Sequence, residues 1–471
     1  MVRSSSRFWV RLARIALGAA MLAALWFALT RDIRYSREYM GDLRNRVVGA
    51  RLIDDGYSPY FYKYAPGDPV RYYDPQAFDP YFVSICTSTP FLHRLLIPLA
   101  RLPFATIMRV WAVVLYLLYF GMTAYAFSLA RAPKARVGVA VTAVLLLLTN
   151  AWELHTRYGQ TYLLVPALAM LFTAIIRKPC FRGQGPLSGL VAVLLVLVRP
   201  NAVLFLLPFG WWAMYERRRP WKIAFLVPAI VALAWVLLVP RERRLWSDYR
   251  VMLSQQVKIH QGLGPKRRPA WTDPGIGDWE GVNMDTVRAR IGRDPVHIYS
   301  ENGNVFVLYQ KIAGRRMPLG VLGGLGLFSI AAVLGILVRQ RRPAFARANA
   351  SAEATALKTA LKTAGDAECR NTDPTRLAVL GFCLYMISDL FSPIYRHAYY
   401  GVQWFMPLLL AAAMYDGQQR RVYLGLLVCL LLNIVHLPFI PMANTIGEYG
   451  FLIGLLAIGF AHRVENQNRK I

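Results

Sequence analysis

Long apolar runs separated by short polar segments occupy most of the chain outside three stretches. About 20 apolar residues span a hydrocarbon core, and backbone in lipid must close its hydrogen bonds within a helix or a closed barrel. Barrel strands need only about 10 residues, fewer than these runs contain. The pattern predicts an all-α integral membrane bundle with about ten crossings, at residues 8–30, 104–130, 137–152, 160–176, 222–240, 317–338, 377–391, 398–415, 422–440 and 448–462. The run 187–215 is different, because Arg199-Pro200-Asn201 interrupts it and cations flank both ends. It predicts a re-entrant pair of short helices with Arg199 at the apex, two short full crossings being the alternative.

The polar segments orient this bundle. Arg3, Arg7, Arg11 and Arg14 precede the first run and no small-residue cleavage site follows it, so residues 1–30 read as a retained signal anchor with the N-terminus inside. Short loops on that side hold 19 Lys and Arg, whereas the short loops opposite hold only Arg157 and Arg396. Both termini are therefore expected in the cytoplasm, with 31–103 and 241–316 as external loops. Membrane bundles are expected at 104–240 and 377–471, with one span at 317–338. Residues 339–376, rich in Ala, Thr and Lys, read as a cytoplasmic linker.

Composition agrees with a membrane setting. Hydrophobic residues make up 56% and charged residues only 17%, and mean hydropathy is +0.34. The net charge of +29 is dispersed between apolar runs instead of forming a stripe, which favours membrane lipids over nucleic acid as partners. Five scattered cysteines without C-x-x-C spacing support neither a disulfide framework nor a thiolate metal site.

Candidate chemistry gathers in the external segments. Asp42 opens a helical pattern continued by Leu43, Val47, Ala50 and Ile53 and ended by Gly56 and Ser58-Pro59, so its plainest role is a helix cap. A cap also fixes a carboxylate in space, so the two roles are compatible. Arg199, between apolar runs, reads as functional by default, either as an anion-binding fork or as the partner of Glu153 or Asp389. His397, eight residues after Asp389 and beside Arg396, reads equally as an interfacial histidine or a ligand group. The loop from Trp152 to Gln160 carries Glu153, His155 and Gln160, which fit either a cavity lining or the cap of a hairpin. Asp54-Asp55 read as solvated turn carboxylates, and Lys266-Arg267-Arg268 as a headgroup-facing or solvated run.

The order of these features resembles glycosyltransferase family 87, the polyprenol-phosphate-mannose-dependent mannosyltransferases of the GT-C superfamily. Asp42 is followed by an Ala- and Gly-containing helix and by Gly56-Tyr57-Ser58-Pro59-Tyr60. The resemblance continues through Thr89-Pro90-Phe91, Pro98-Leu99, Leu102-Pro103-Phe104 and Trp111. It returns at Gly159-Gln160, at Gly189 to Arg199-Pro200, and at Ser392-Pro393 with His397, covering about residues 30 to 410. Tyr162 stands where the family commonly has Asn, the Ser-Pro to His interval is one residue short, and Tyr72-Tyr73-Asp74-Pro75 lies in an extended loop.

The resemblance implies a GT-C-like bundle that moves a sugar, a mannose-like hexose or a pentose, from polyprenyl phosphate to a hydroxyl of a glycolipid or glycan acceptor, with inversion, outside the cytoplasmic membrane. It implies Asp42 as general base, Arg199 and His397 at the donor phosphate, and Tyr60, Glu153, His155, Gln160, Asp389 and Arg396 around the substrate cavity. No cofactor and no metal ligands are implied, although acidic pairs in some GT-C enzymes keep a divalent ion as the alternative. A lipid-linked glycan or small-molecule transporter or flippase is the competing class, but transporters usually interrupt both halves and no counterpart of Arg199-Pro200 follows residue 317. An envelope polysaccharide polymerase or ligase is the third reading.

Overall fold

The computed structural model describes residues 2–38, 40–74, 86–178, 183–215, 219–260, 276–285, 289, 303–354, 373–394, 396–417, 419–434 and 442–461. Helices α1 (Val2–Glu38), α2 (Gly41–Asp54), α3 (Pro90–Ala100), α4 (Phe104–Leu129), α5 (Pro133–Leu147), α6 (Asn150–Tyr158) and α7 (Leu164–Arg177) form the first half. They are followed by α8 (Gln184–Val198), α9 (Val203–Tyr215), α10 (Arg219–Leu238) and α11 (Pro240–His260). A two-stranded hairpin, β1 (Asp278–Trp279) and β2 (Val282–Asn283), precedes α12 (Val305–Ala313), α13 (Leu319–Ala354) and α14 (Pro374–Leu390). A 3₁₀ turn at Ala398–Trp404 then leads to α15 (Phe405–Ala413), α16 (Arg420–Leu432) and α17 (Ala443–Phe460). Lys266-Arg267-Arg268 lies outside the described residues.

The protein is a multi-pass helical membrane protein, but the expectation of about ten crossings is overturned. Among the described residues four helices are long and apolar enough to cross: Ile15–Glu38 of α1, α4, Leu319–Arg339 of α13, and α17. Counting two bent pairs as one span each, α5 with α6 at 54° and α10 with α11 at 87°, gives up to six. An apolar run measures composition, whereas a crossing needs an unbroken helix of about 30 Å at about 1.5 Å per residue. The runs 160–176 and 422–440 yield helices of 14 and 13 residues, or about 20 Å. The run 377–391 gives 17 residues, and 398–415 is split between the 3₁₀ turn and the nine-residue α15.

Helix α14 is the hub, buried on nearly every face from Leu377 to Leu390, as expected of a helix apolar all round. Two crossings depend on small residues that let backbones approach. A Cβ at Gly189 of α8 would collide with the Phe225 carbonyl of α10, and one at Gly381 of α14 with the Phe205 carbonyl of α9. The chain between α8 and α9 leaves the helix at Arg199, whose backbone is extended, and turns through a short 3₁₀ stretch at Pro200–Ala202. The proline after Arg199 disfavours helical backbone at Arg199 itself, so the arginine is presented at a helix end.

Helix α2 is polar for a buried element. Arg44, Arg46 and Arg51 are all buried on it, beside the apolar face of Leu43, Val47, Ala50 and Ile53. The hairpin folds back onto its arginines: Arg44 reaches Glu280 at 3.0 Å and lies 3.5 Å from the ring centre of Trp279, while Arg51 meets both Glu280 oxygens at 2.7 and 3.3 Å. The Phe104 amide, at the start of α4, donates to the same carboxylate at 3.1 Å. Burial pushes the Glu280 carboxyl upward, but Arg44 and Arg51 more than offset this and hold it below the ordinary range. These bonds also stabilise the left-handed backbone of Glu280, φ +47°, in the two-residue turn with Gly281.

Candidate active site

Helix α2 begins at Gly41, with Met40 in the cap position and no side-chain cap bond. Asp42 therefore lies inside the first turn, where a carboxylate is favoured by the helix dipole but is not the cap. Gln160 donates its side-chain amide to Asp42 Oδ2, and Arg46, one turn along α2, bonds Gln160 Oε1 at 2.6 Å and the Asp42 main-chain oxygen at 2.5 Å.

Gly159 makes this contact possible. It caps α6 in the left-handed conformation, φ +64°, and a Cβ there would sit 2.6 Å from Leu43 Cβ and 2.7 Å from Met40 Cβ. Only glycine lets the turn settle on the start of α2 and bring Gln160 to Asp42. His155, fully buried, holds the same turn from beneath: its main-chain oxygen accepts from Gln160 N at 2.9 Å, and its Nε2 accepts from Leu163 N at 3.3 Å. His155 thus supports the turn and is absent from the cavity wall described next.

Beside this cluster a cavity of about 400 Å³, counted to its open mouth, is lined by Arg46, Thr87, Ser88, Thr89, Leu92, Thr161, Tyr162, Val165, Val198, Arg199 and Tyr249. Thr89 caps α3 by accepting from Leu92 N at 3.3 Å, with Pro90 in the first helical position. Its hydroxyl also lies 3.5 Å from the Val198 carbonyl, which sets the start of α3 next to Arg199. Tyr60 stands behind this wall, its hydroxyl donating to the Ser88 carbonyl at 2.9 Å. Buried His93 of α3 carries its proton on Nδ1, because its neighbour there is the Arg46 carbonyl at 3.1 Å, and burial pushes the ring down to about 4, so it is neutral.

Arg199 closes the far side. One nitrogen bonds Asp389 Oδ1 at 3.0 Å, yet the side chain stays 29% exposed and flanks the rings of Tyr162 and Tyr400, at 5.1 and 5.6 Å from their centres. Of the sequence alternatives the structure shows the Asp389 partner, with the rest of the guanidinium on the cavity wall. Asp389 is buried and passes the charge on to Arg396 at 2.7 Å, and Arg396 in turn pairs with Glu448 of α17. Two arginines and two carboxylates alternate, so the buried charges compensate.

His397 is outside the cavity wall. It is exposed and stacks on Tyr399 at 5.0 Å, and Tyr399 stacks on Tyr162 at 5.8 Å, so a ladder of rings connects it to the cavity. Tyr162 and Tyr400 also share a hydroxyl bond of 2.6 Å. Glu153 is not brought here at all. It accepts from Tyr35 at 2.7 Å and from Arg31 at 3.4 Å, beside the buried Asp32, whose oxygens take bonds from Arg31, Tyr116, Trp152 and Thr156. Asp54 pairs with Arg101, and Asp55 with Arg71 and Tyr72.

Sequence reasoning missed Arg46, Glu448, Glu280 and the threonine-serine rim of α3. Arg46 was discoverable, because it lies four residues after Asp42 and therefore on the same helix face. Nothing local marks Glu280 or Glu448, which meet their partners from more than 50 residues away.

The sequence profile of glycosyltransferase family 87 matches residues 87–361, more than half of the chain. The chain belongs to glycosyltransferase family 87. This family-87 protein is accordingly a membrane glycosyltransferase, and the match spans the rim of α3, the Gly159-Gln160 turn and Arg199. No curated protein matches it. Among solved structures, the apo-form crystal structure of the Archaeoglobus fulgidus oligosaccharyltransferase is similar at 12% identity and a TM-score of 0.38, over 95% of this chain and 57% of that one. The chain thus spans little more than half the length of that protein.

Proposed function

We propose that this glycosyltransferase, of the GT-C type, moves one sugar, a mannose-like hexose or a pentose, from polyprenyl phosphate to a hydroxyl of a glycolipid or glycan at the external face of the cytoplasmic membrane. What supports the reading is one juxtaposition: Asp42 lies a single hydrogen-bonded residue away from a cavity walled by the guanidinium groups of Arg46 and Arg199. The acceptor oxygen attacks the anomeric carbon while Asp42 takes its proton. The carbon–oxygen bond to the phosphate breaks, and the lipid phosphate leaves with the electron pair. One displacement inverts the anomeric centre. Phosphate is a good leaving group once its charge is met by cations, so a single carboxylate suffices where a glycosidase needs two. Arg199 meets that charge with a planar fork.

The test is to incubate purified protein with a panel of polyprenyl-phosphate sugars and measure release of the lipid phosphate. Asp42→Asn should fold, bind donor as before and lose roughly 10² to 10⁴ in kcat. Asp54→Asn and Asp55→Asn should stay near wild type, since both carboxylates are occupied by neighbours on the loop side. Wild-type turnover by Asp42→Asn would remove it as the base, and an unfolded Asp42→Asn would assign it to structure.

A further inference from the structure

Arg46 makes two bonds that serve Asp42, one from each terminal nitrogen, and its Nε–H takes part in neither. It is 6% exposed and lines the cavity, yet among the described residues its Nε–H has no hydrogen-bond partner. An unpaired donor on a buried cation is costly, and the residue that carries it is one that lines the cavity. The start of α3, with the positive end of its dipole, forms the adjacent wall at Thr87, Ser88 and Thr89. The orientation of the Gln160 amide follows from the same residue. Arginine can only donate, so Gln160 Oε1 faces Arg46 and its NH₂ faces Asp42.

We propose that Arg46 and Gln160 are positioning residues that tie the Asp42 carboxylate to the lipid phosphate: Arg46 offers its unpaired edge to the phosphate while locking Gln160, and Gln160 locks Asp42. This rests on the reading of Asp42 as the base. Donor binding and base orientation then become one event, because both hang on a single guanidinium. Donation from Gln160 also favours the ionised carboxylate, the form a base requires. Among the described residues the groups facing Asp42 include Arg46 from its own helix, the Gln160 amide from the turn after α6, and Tyr399 from the 3₁₀ turn at Ala398–Trp404.

The test uses the full-length enzyme in detergent with polyprenyl-phosphate mannose as donor and sugar-free polyprenyl phosphate as binding probe. Gln160→Met should lower kcat about 10- to 100-fold with donor KM within about twofold. The acid limb of its pH–rate profile should move up by about one to two pH units, since the carboxylate loses a donor. Gln160→Glu, which keeps an acceptor for Arg46 but sets a second carboxyl beside Asp42, should move that limb further and carries the test if Gln160→Met fails to fold. Arg46→Lys should weaken binding of sugar-free polyprenyl phosphate about 10-fold or more, while Gln160→Met leaves it unchanged. An acid limb superimposable on wild type, or phosphate binding indifferent to Arg46, overturns the proposal. The two readings separate cleanly. If Asp42→Asn is inactive while Gln160→Met behaves as wild type, only the wiring fails, and if Asp42→Asn is active the base assignment fails first.

Discussion

Replacing Glu280, which is not part of the cavity wall, should destabilise the protein and displace the helix that carries Asp42. Its carboxylate accepts four hydrogen bonds, from Arg44, twice from Arg51 and from the Phe104 amide. The arginine side chains are 0% and 4% exposed, so neither recovers water when the carboxylate is lost. Removing one partner of such a buried arrangement costs about 3–5 kcal/mol. Glu280 is 21% exposed, and both arginines keep main-chain acceptors, Tyr73 O for Arg44 and Ala100 O for Arg51, so Glu280→Leu should fall at the lower end, about 3 kcal/mol. The assay is reversible unfolding in mixed detergent micelles, arranged as a double-mutant cycle with Arg51→Leu. A coupling of about 1.5–2 kcal/mol is expected from two charge-assisted bonds discounted for partial exposure. The pH dependence has a definite sign. The carboxyl is held below its ordinary value of 4.5, so its stabilisation is complete above that pH and is lost as pH falls through the lowered value. Glu280→Gln should therefore be less stable at neutral pH but flatter below about pH 4.5. Additive single mutants within about 0.5 kcal/mol, or identical acid profiles, would refute the clamp.

Arg199→Lys should retain part of the activity and Arg199→Ala little, because charge supplies attraction and the fork supplies alignment; unchanged KM and kcat in the alanine variant would exclude the phosphate role. Gly159→Ala adds a Cβ 2.6 Å from Leu43 at positive φ, so it should lower stability by about 2 kcal/mol and detach Gln160 from Asp42, seen as a kcat loss exceeding any rise in KM. Glu153→Gln should leave kcat and donor KM within about twofold, since Glu153 faces Tyr35 and Arg31; a kcat loss above 10-fold would return it to the cavity. In a cysteine-free background, Ser58→Cys and Ser247→Cys should react with an impermeant thiol reagent in intact spheroplasts, and protection of both would invert the orientation.

Helical class and membrane setting were legible because apolar composition over long windows is a bulk property, insensitive to where each helix ends. The number of crossings was not. Between residues 160 and 176 the run begins with the Gln160 turn, which α2 captures before α7 starts at Leu164, and between 398 and 415 a 3₁₀ turn takes the place of the expected helix. Local hydropathy does not record a helix end that a distant contact creates. Among the candidate site residues, Asp42, Gln160 and Arg199 stood out in the sequence as polar groups at costly or fixed positions. Glu153 was misplaced toward the cavity because the loop order Glu153, His155, Gln160 says nothing of which face each side chain takes once α6 forms and Asp32 anchors it to α1.

Local pattern alone points to a helical membrane protein, a helix that starts near the Asp42 carboxylate, and a cation at a break between apolar runs, because periodicity, desolvation and the geometry before proline act within a few residues. Tertiary contacts alone settle that Gly159 seats Gln160 on Asp42, that Arg46 reaches both Asp42 and the cavity, and that Asp389, Arg396 and Glu448 neutralise the floor beneath Arg199. Those contacts join segments tens to hundreds of residues apart. Their energies come from burying charges together, and a charge in one segment does not name its partner in another.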